Sequence, residues 1–434
     1  MPFIPCEMTA IVDCNSFYCS CEQLFLPALR HKPLVVLSNN DGCIVSRTDE
    51  AKALGIGMGE PYFQSKEQII QHKIAVFSSN YHLYGDMSRR VMDTLRHLVG
   101  QQEVEVYSVD EAFIDLRHIS PSALHSLAEK IRSTTEQWTG IPVSVGIGPT
   151  KVLSKVANRL AKKNKKATGC VKILQRAEDI RQALEQTPVG DIWGIGRRYA
   201  YLLREIWGIE TAYQLSNMNE GWVHKNLGGV VGKRLLRELR GEPCIEMKDP
   251  LEKKKMIATT RMFGKPVTEE HELKEAVATY ITRAAEKLRR QHSAAGTIDI
   301  FVVSKPRIAS YTEYRRESDA RHITLPVPTA NTRTMIGYAM PLVSDLFEKG
   351  TQYIKAGVIL SDIVPDEAIQ GNLFYKPANP SDKKLFKAID NINFGIREDA
   401  VRFGSAGTTR NWKMRQEHRS KKYTTRWEEL FDVP

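Results

Sequence analysis

No stretch of this 434-residue chain approaches the ~18 consecutive apolar residues that a membrane span requires. Its start, Met1-Pro2-Phe3-Ile4-Pro5, has neither the basic residues nor the apolar run of a secretory leader. Cysteine is scarce: seven residues, an odd number with no C-x-x-C pair, argue against a disulfide framework or a zinc ribbon. Five of the seven lie within the first 43 residues and read as buried, reduced thiols. These absences predict a cytoplasmic protein. Nucleotide fingerprints are missing too. The turn Gly194-Ile195-Gly196 lacks the third glycine and the preceding strand of a dinucleotide site, and Gly228–Arg234 lacks the spacing of a P-loop.

What the chain has is charge, unevenly placed. Residues 1–150 hold 12 Lys/Arg against 17 Asp/Glu, whereas the remainder holds 50 against 34. With 42% apolar and 26% charged residues the composition is that of a globular chain. An acidic first part joined to a basic remainder suggests a metal-dependent centre attached to a nucleic-acid grip.

Residues 9–14 (TAIVDC) read as a short buried strand ending on Asp13 and Cys14, and 15–24 as the start of a helix. Two strands are predicted across 103–116, with Asp110 and Glu111 at the bend between them. Carboxylates gathered there would repel one another unless a divalent cation intervened. Mg²⁺ prefers such oxygen donors, and a pair of ions suits in-line displacement at phosphorus. Apolar positions 83, 87, 91, 95 and 98 predict one amphipathic helix over 80–99. A second helix over 150–164 carries Lys151, Lys155, Arg159 and Lys162 along one side, inside a stretch (151–172) of eight basic residues and no acid. From 256 the order strand, helix, strand, strand, helix, strand is a split β-α-β unit. After Pro365 the hydrophobic pattern weakens, and a tail partly disordered until it meets a partner is expected. Residues 189–203 match a helix-hairpin-helix, whose glycines let backbone amides approach a phosphate without reading sequence.

VDCNSFYCSCE (12–22), SVDEAF (108–113), VSVGIGPTKVLSKVAN (143–158) and WGIG (193–196) resemble the Y-family translesion DNA polymerases. SNNDGCIVSRTDEAKALGI (38–56), SSNYHLYGDMS (78–88), LRGEPC (239–244) and YTTRWEEL (423–430) bring the resemblance to the UmuC group, over nearly the whole chain. It implies an α/β (α+β) multidomain right hand: a ferredoxin-like palm, small fingers, a helical thumb with the helix-hairpin-helix, and a β-α-β-β-α-β little finger. The implied boundaries are palm 1–24 and 79–168, fingers 25–78, thumb 169–243, linker 244–255, little finger 256–365, and a C-terminal tail 366–434.

The resemblance also implies roles. Asp13, Asp110 and Glu111 would be catalytic and would hold two Mg²⁺ ions, with the Cys14 carbonyl as a further ligand. Tyr18 would be the steric gate against a 2′-hydroxyl, and Lys52 and Lys162 would meet the dNTP triphosphate. Many relatives carry a tyrosine where this chain has Asp49, so Thr48 or Arg47 is expected to compensate. Gly194, Gly196 and Lys155 are assigned to the DNA backbone. Gln370, Leu373 and Phe374 resemble a Q-x-x-L-F sliding-clamp peptide, with Gly371 in place of the usual leucine. The implied activity is error-prone synthesis across damaged template bases in the SOS response. The implied partners are primer–template DNA, a processed UmuD-like dimer, a RecA filament with ATP, and the sliding clamp. A non-catalytic DNA-binding subunit at stalled forks, and a two-metal nuclease, are the alternatives.

Overall fold

The computed structural model describes residues 7–248, 253–305, 318–375, 380–396 and 399–430. They form two units, one from the described residues of Met1–Ser38, Gly42–Glu252 and His418–Pro434, the other from Asn39–Asp41 and Lys253–Glu417.

The first unit begins with β1 (Thr9–Cys14). An insertion follows, carrying β2 (Leu34–Leu37), β3 (Ile44–Arg47) and β4 (Ala75–Ser78). These three strands pair in the order β3-β2-β4 over a small core of their own, with Val35, Leu37, Ile44, Ile56 and Ile69 buried. The chain then returns through β5 (Val104–Val106), β6 (Glu111–Asp115), β7 (Val143–Gly148) and β8 (Val171–Ile173). Together with β1 they make a five-stranded sheet in the order β5-β6-β1-β7-β8.

Alternation along β1 divides the two faces of this sheet. Ala10, Val12 and Cys14 enter a core with the helices Tyr81–Val99 and Leu124–Thr139. Ile11 and Asp13 point the other way, toward the helix Lys151–Lys163. That helix lies close against the sheet because Gly146 has no side chain: a Cβ there would meet the Asn158 backbone nitrogen at 2.2 Å. Thr150 caps the helix, its hydroxyl accepting from the Leu153 N–H at 3.2 Å. Val152, Leu153, Val156 and Ala157 bury against the helical region 177–239 in a third core. Within that region the expected helix-hairpin-helix has a short first arm, the 3₁₀ turn Val189–Asp191. Gly194, at φ 100°, makes the turn, and Gly196 opens the helix Arg197–Tyr201.

The second unit is built on β9 (Ile257–Val267), β10 (Ser293–Ser304), β11 (Ser318–Thr329) and β12 (Tyr353–Pro365), in the order β11-β10-β12-β9. All its pairings are antiparallel, and the helices Glu270–Arg290 and Thr332–Leu346 pack with the sheet around one core. Of the tail expected to be partly disordered, the described residues are ordered without a partner. Pro380–Gly395 is a helix, and Phe386, Ala406 and Trp412 are buried within this unit. Arg289 holds Asp390 through two hydrogen bonds of 2.7 and 2.8 Å. The last described segment, from His418, packs in the first unit instead. Among the described residues no helix is long and apolar enough to cross a membrane.

Candidate active site

The site is assembled by strand register. Asp13, the one acid of β1, lies directly opposite Glu111, the first residue of β6. The two side chains therefore share the face that carries Lys151–Lys163. Asp110 sits in the preceding turn, where its carbonyl accepts from the Cys14 N–H at 2.8 Å. The Ser108 hydroxyl donates to Asp110 Oδ1 at 2.6 Å and fixes the carboxylate's direction.

The basic helix answers these acids. Lys162 pairs with Asp13, and Lys155 Nζ lies 2.8 Å from Glu111 Oε1. Lys155, assigned from sequence to the DNA backbone, is further enclosed by the rings of Tyr107 (4.6 Å) and Trp193 (5.2 Å). Burial lifts the Asp13 carboxyl to about 6; Lys162 opposes this, while the charges of Glu111 and Asp110 add to it. No three His, Cys, Asp or Glu side chains are grouped to hold a metal ion among the described residues. The donor set nevertheless suits a hard divalent cation, which would relieve the repulsion that Asp13 feels from its neighbours. The Cys14 thiol is buried and its pKa is pushed well up, so a ligand from this residue would be its carbonyl.

Beside the acids lies a layer of tyrosines. Tyr18 is half-buried, stacked on Tyr84 with ring centroids 4.5 Å apart and edge-on to Tyr81 at 6.0 Å. Burial pushes its phenol up to about 12, so the ring stays neutral. Tyr84 donates to Glu22 Oε1 at 2.7 Å.

Lys52 reaches Asp49 Oδ1 at 2.7 Å and Ser16 Oγ at 3.4 Å, and Lys165 also pairs with Asp49. Burial works to raise the Asp49 carboxyl, but the two lysines outweigh it and hold the group below its ordinary value. Nothing in the sequence pointed to this bridge from Lys165. Thr48 is drawn into the fold. Its hydroxyl is buried, accepts from the Ala51 and Leu34 N–H groups and donates to the Lys32 carbonyl. Thr48 therefore supports Lys52 by capping its helix, which corrects the expectation of a direct phosphate contact. Arg47 donates to the Ile56 carbonyl.

The buried pair Lys151–Glu105, the carboxylate Glu22 and the tyrosines 81 and 84 were not assigned from sequence. Only the last had a local signal, a three-residue spacing on one predicted helix. Glu22 carries a pH prediction. Burial raises its carboxyl from 4.5 to about 7, against the hydrogen bonds from Tyr84 and Ser420. The folded chain thus binds this proton more tightly than the unfolded one, and stability falls as pH rises from about 4.5 to about 7. Thermal unfolding of Glu22→Gln against the parent from pH 5 to 8 should show the parent losing on the order of 1–3 kcal/mol relative to the variant. Parallel curves would mean that Glu22 titrates normally.

A family model described as impB/mucB/samB matches residues 12–159, and that family's C-terminal domain matches 254–373. Residues 383–433 match a domain of unknown function, DUF4113. The protein UmuC of Salmonella typhimurium is 40% identical over 98% of this chain and 100% of its own length. This chain belongs to the impB/mucB/samB family. ImpB of the same organism is also 40% identical, over 98% of this chain and 99% of its own. A DNA polymerase IV of Corynebacterium diphtheriae is 31% identical over 84% of this chain and 76% of its own. Among solved structures, a Y-family DNA polymerase chimera built on Dbh superposes with a TM-score of 0.66 at 20% identity, covering 82% of this chain and 99% of that one. The fold is that of a Y-family polymerase, the right hand expected from the sequence.

Proposed function

We propose that this protein is a template-directed, error-prone DNA polymerase that extends primers across damaged bases. The observation that carries the reading is the convergence of Asp13, Asp110 and Glu111 at paired strand ends, facing a lysine helix, in a chain of this family. A non-catalytic DNA-binding subunit would have no use for three partly buried carboxylates gathered at the strand ends, where burial first and the neighbouring charges second raise the Asp13 pKa.

In this reading Asp13, Asp110, Glu111 and the Cys14 carbonyl hold two Mg²⁺ ions. Bound there, the ions would neutralise triphosphate charge and favour the ionised primer 3′-hydroxyl. The chain's own residues do the rest. Lys162 and Lys155 balance the acids before substrate arrives, and Lys162 and Lys52 then turn to the β- and γ-phosphates. The Tyr18 ring occupies the space beside the sugar C2′ and rejects ribonucleotides. Gly194 and Gly196 offer backbone amides to the DNA phosphates. The palm, fingers, thumb and little-finger boundaries given above, a cytoplasmic location, and the UmuD-like dimer and RecA filament as partners belong to the same reading.

The test is primer extension on a template bearing an abasic site, with dNTPs and Mg²⁺ and with the partner proteins added. A lengthened primer supports the polymerase, a shortened one the nuclease, and an unchanged one the regulatory subunit.

The clamp peptide gives a separate prediction. Leu373 and Phe374 are 101% and 91% exposed, held on a turn in which the Phe374 N–H donates to Asn372 Oδ1 at 3.0 Å. Two apolar side chains presented in this way suit burial in pockets of another protein. Leu373→Ala with Phe374→Ala should leave stability within about 0.5 kcal/mol and distributive extension intact. Binding to the sliding clamp, read by surface plasmon resonance, should be lost; unchanged affinity would move the contact elsewhere.

A further inference from the structure

The tyrosine layer beside the acids is closed from behind by the C-terminal segment of the chain. His418 and Arg419 run alongside the end of β4: the Ser78 N–H donates to the His418 carbonyl at 3.0 Å, and the His418 N–H donates to Ser78 Oγ at 2.9 Å. Four residues on, the Tyr423 ring stacks on Phe25 at 4.8 Å with 12° between the planes. Between these two anchors lies Ser420, which is buried.

Ser420 joins the two helices that carry the tyrosines. Its hydroxyl donates to Glu22 Oε1 at 3.0 Å, the same oxygen that accepts from Tyr84. Glu22 lies one helical turn beyond Tyr18 on Phe17–Phe25. On the other side, Asn80 caps the helix that presents Tyr81 and Tyr84, accepting from the Leu83 N–H. The Asn80 amide donates to the Ser420 hydroxyl at 3.0 Å, to the Ser420 carbonyl at 3.2 Å and to the Lys421 carbonyl at 3.1 Å. Glu22 and Asn80 are completely or almost completely buried, so these bonds have little competition from water.

We propose that Ser420 is a positioning residue for sugar selection: by tying Glu22 to Asn80 it fixes the Tyr84 ring against which Tyr18 is stacked. The inference rests on the reading of Tyr18 as the gate. A steric gate works by sub-ångström placement, and an aromatic ring is placed only as well as the ring behind it. Part of the domain of unknown function thereby gains a role, in which residues 418–423 set the back wall of the nucleotide pocket. Any event that lifted this segment from the first unit would loosen discrimination at a site it never touches.

The experiment uses the full chain with its partner proteins and measures kcat/KM for a matched dNTP and the corresponding ribonucleotide. Ser420→Ala should raise the ribonucleotide-to-deoxynucleotide ratio about tenfold, the scale of one buried hydrogen bond. Ser420→Thr, which keeps the hydroxyl, should return the ratio to within about twofold of the parent. Asn80→Asp keeps the helix cap but removes the three donor contacts, and should relax the ratio in the same direction. Because Ser420 acts through Tyr18, adding Ser420→Ala to Tyr18→Ala should relax the ratio no further. Three outcomes overturn the proposal: an unchanged ratio in Ser420→Ala while Tyr18→Ala is relaxed, full additivity in the double variant, or equal losses for both nucleotides. If Tyr18→Ala itself discriminates normally, the gate reading falls and this proposal falls with it.

Discussion

Replacing Asp110 and Glu111 together by alanine should lower primer extension by about 10³-fold or more, because the several kcal/mol that bound cations contribute at a phosphoryl centre depend on those oxygens. The fold should survive. Asp110 is tied through the local turn by Ser108, and Glu111 contributes a partly exposed ion pair with Lys155. Removing both also removes two of the charges that raise the Asp13 carboxyl, so the variant relieves repulsion within the site. Thermal unfolding and primer–template binding should therefore stay near the parent values while extension disappears. Extension within about tenfold of the parent would show that these carboxylates are not the reacting centre. The paired single variants refine the result. Glu111→Ala frees Lys155 to meet a phosphate, whereas Asp110→Ala leaves the Lys155–Glu111 pair in place.

Most strands of the first sheet were legible from short apolar runs, whereas β8 (Val171–Ile173), at the end of a basic stretch, was not. Ile11 and Asp13 against Ala10, Val12 and Cys14 is a pattern that needs only period two to be read. The opposition of Asp13 and Glu111 was legible in part: each acid could be placed at a strand end, but the register that sets them face to face arises from pairing between distant segments. The lysine helix was read as one charged stripe. In the structure that stripe has three fates, since Lys151 is buried, Lys155 and Lys162 meet Glu111 and Asp13, and Arg159 pairs with Asp191 at 2.5 Å. No periodicity separates them, because the difference lies in what the helix packs against. The order within the tail was not legible for a related reason. Phe386, Trp412 and Tyr423 each bury, yet they are widely spaced on segments that follow no single period, so the hydrophobic signal looked weak.

Lys151 carries the last prediction. Its side chain is 3% exposed and that of Glu105, on β5, is 5% exposed, and the two form a buried ion pair. The ammonium also donates to the Glu246 carbonyl at 2.9 Å and lies 4.8 Å from the centroid of the Phe113 ring. Glu105 in turn accepts from the Lys248 N–H at 3.0 Å. One ion pair thus joins the edge of the five-stranded sheet, the start of the lysine helix and the chain leaving the helical region. Lys151→Met keeps much of the side-chain volume but leaves a carboxylate buried with no cation, and should destabilise the first unit by about 3–5 kcal/mol. Lys151→Met with Glu105→Leu removes both charges and should recover most of that loss, because two desolvation costs vanish with the attraction. Urea unfolding followed by circular dichroism checks both variants. A single variant as stable as the parent would mean that the pair contributes nothing. A double variant no better than the single would locate the loss in the hydrogen bonds to the Glu246 carbonyl and the Lys248 N–H rather than in the charge left unpaired.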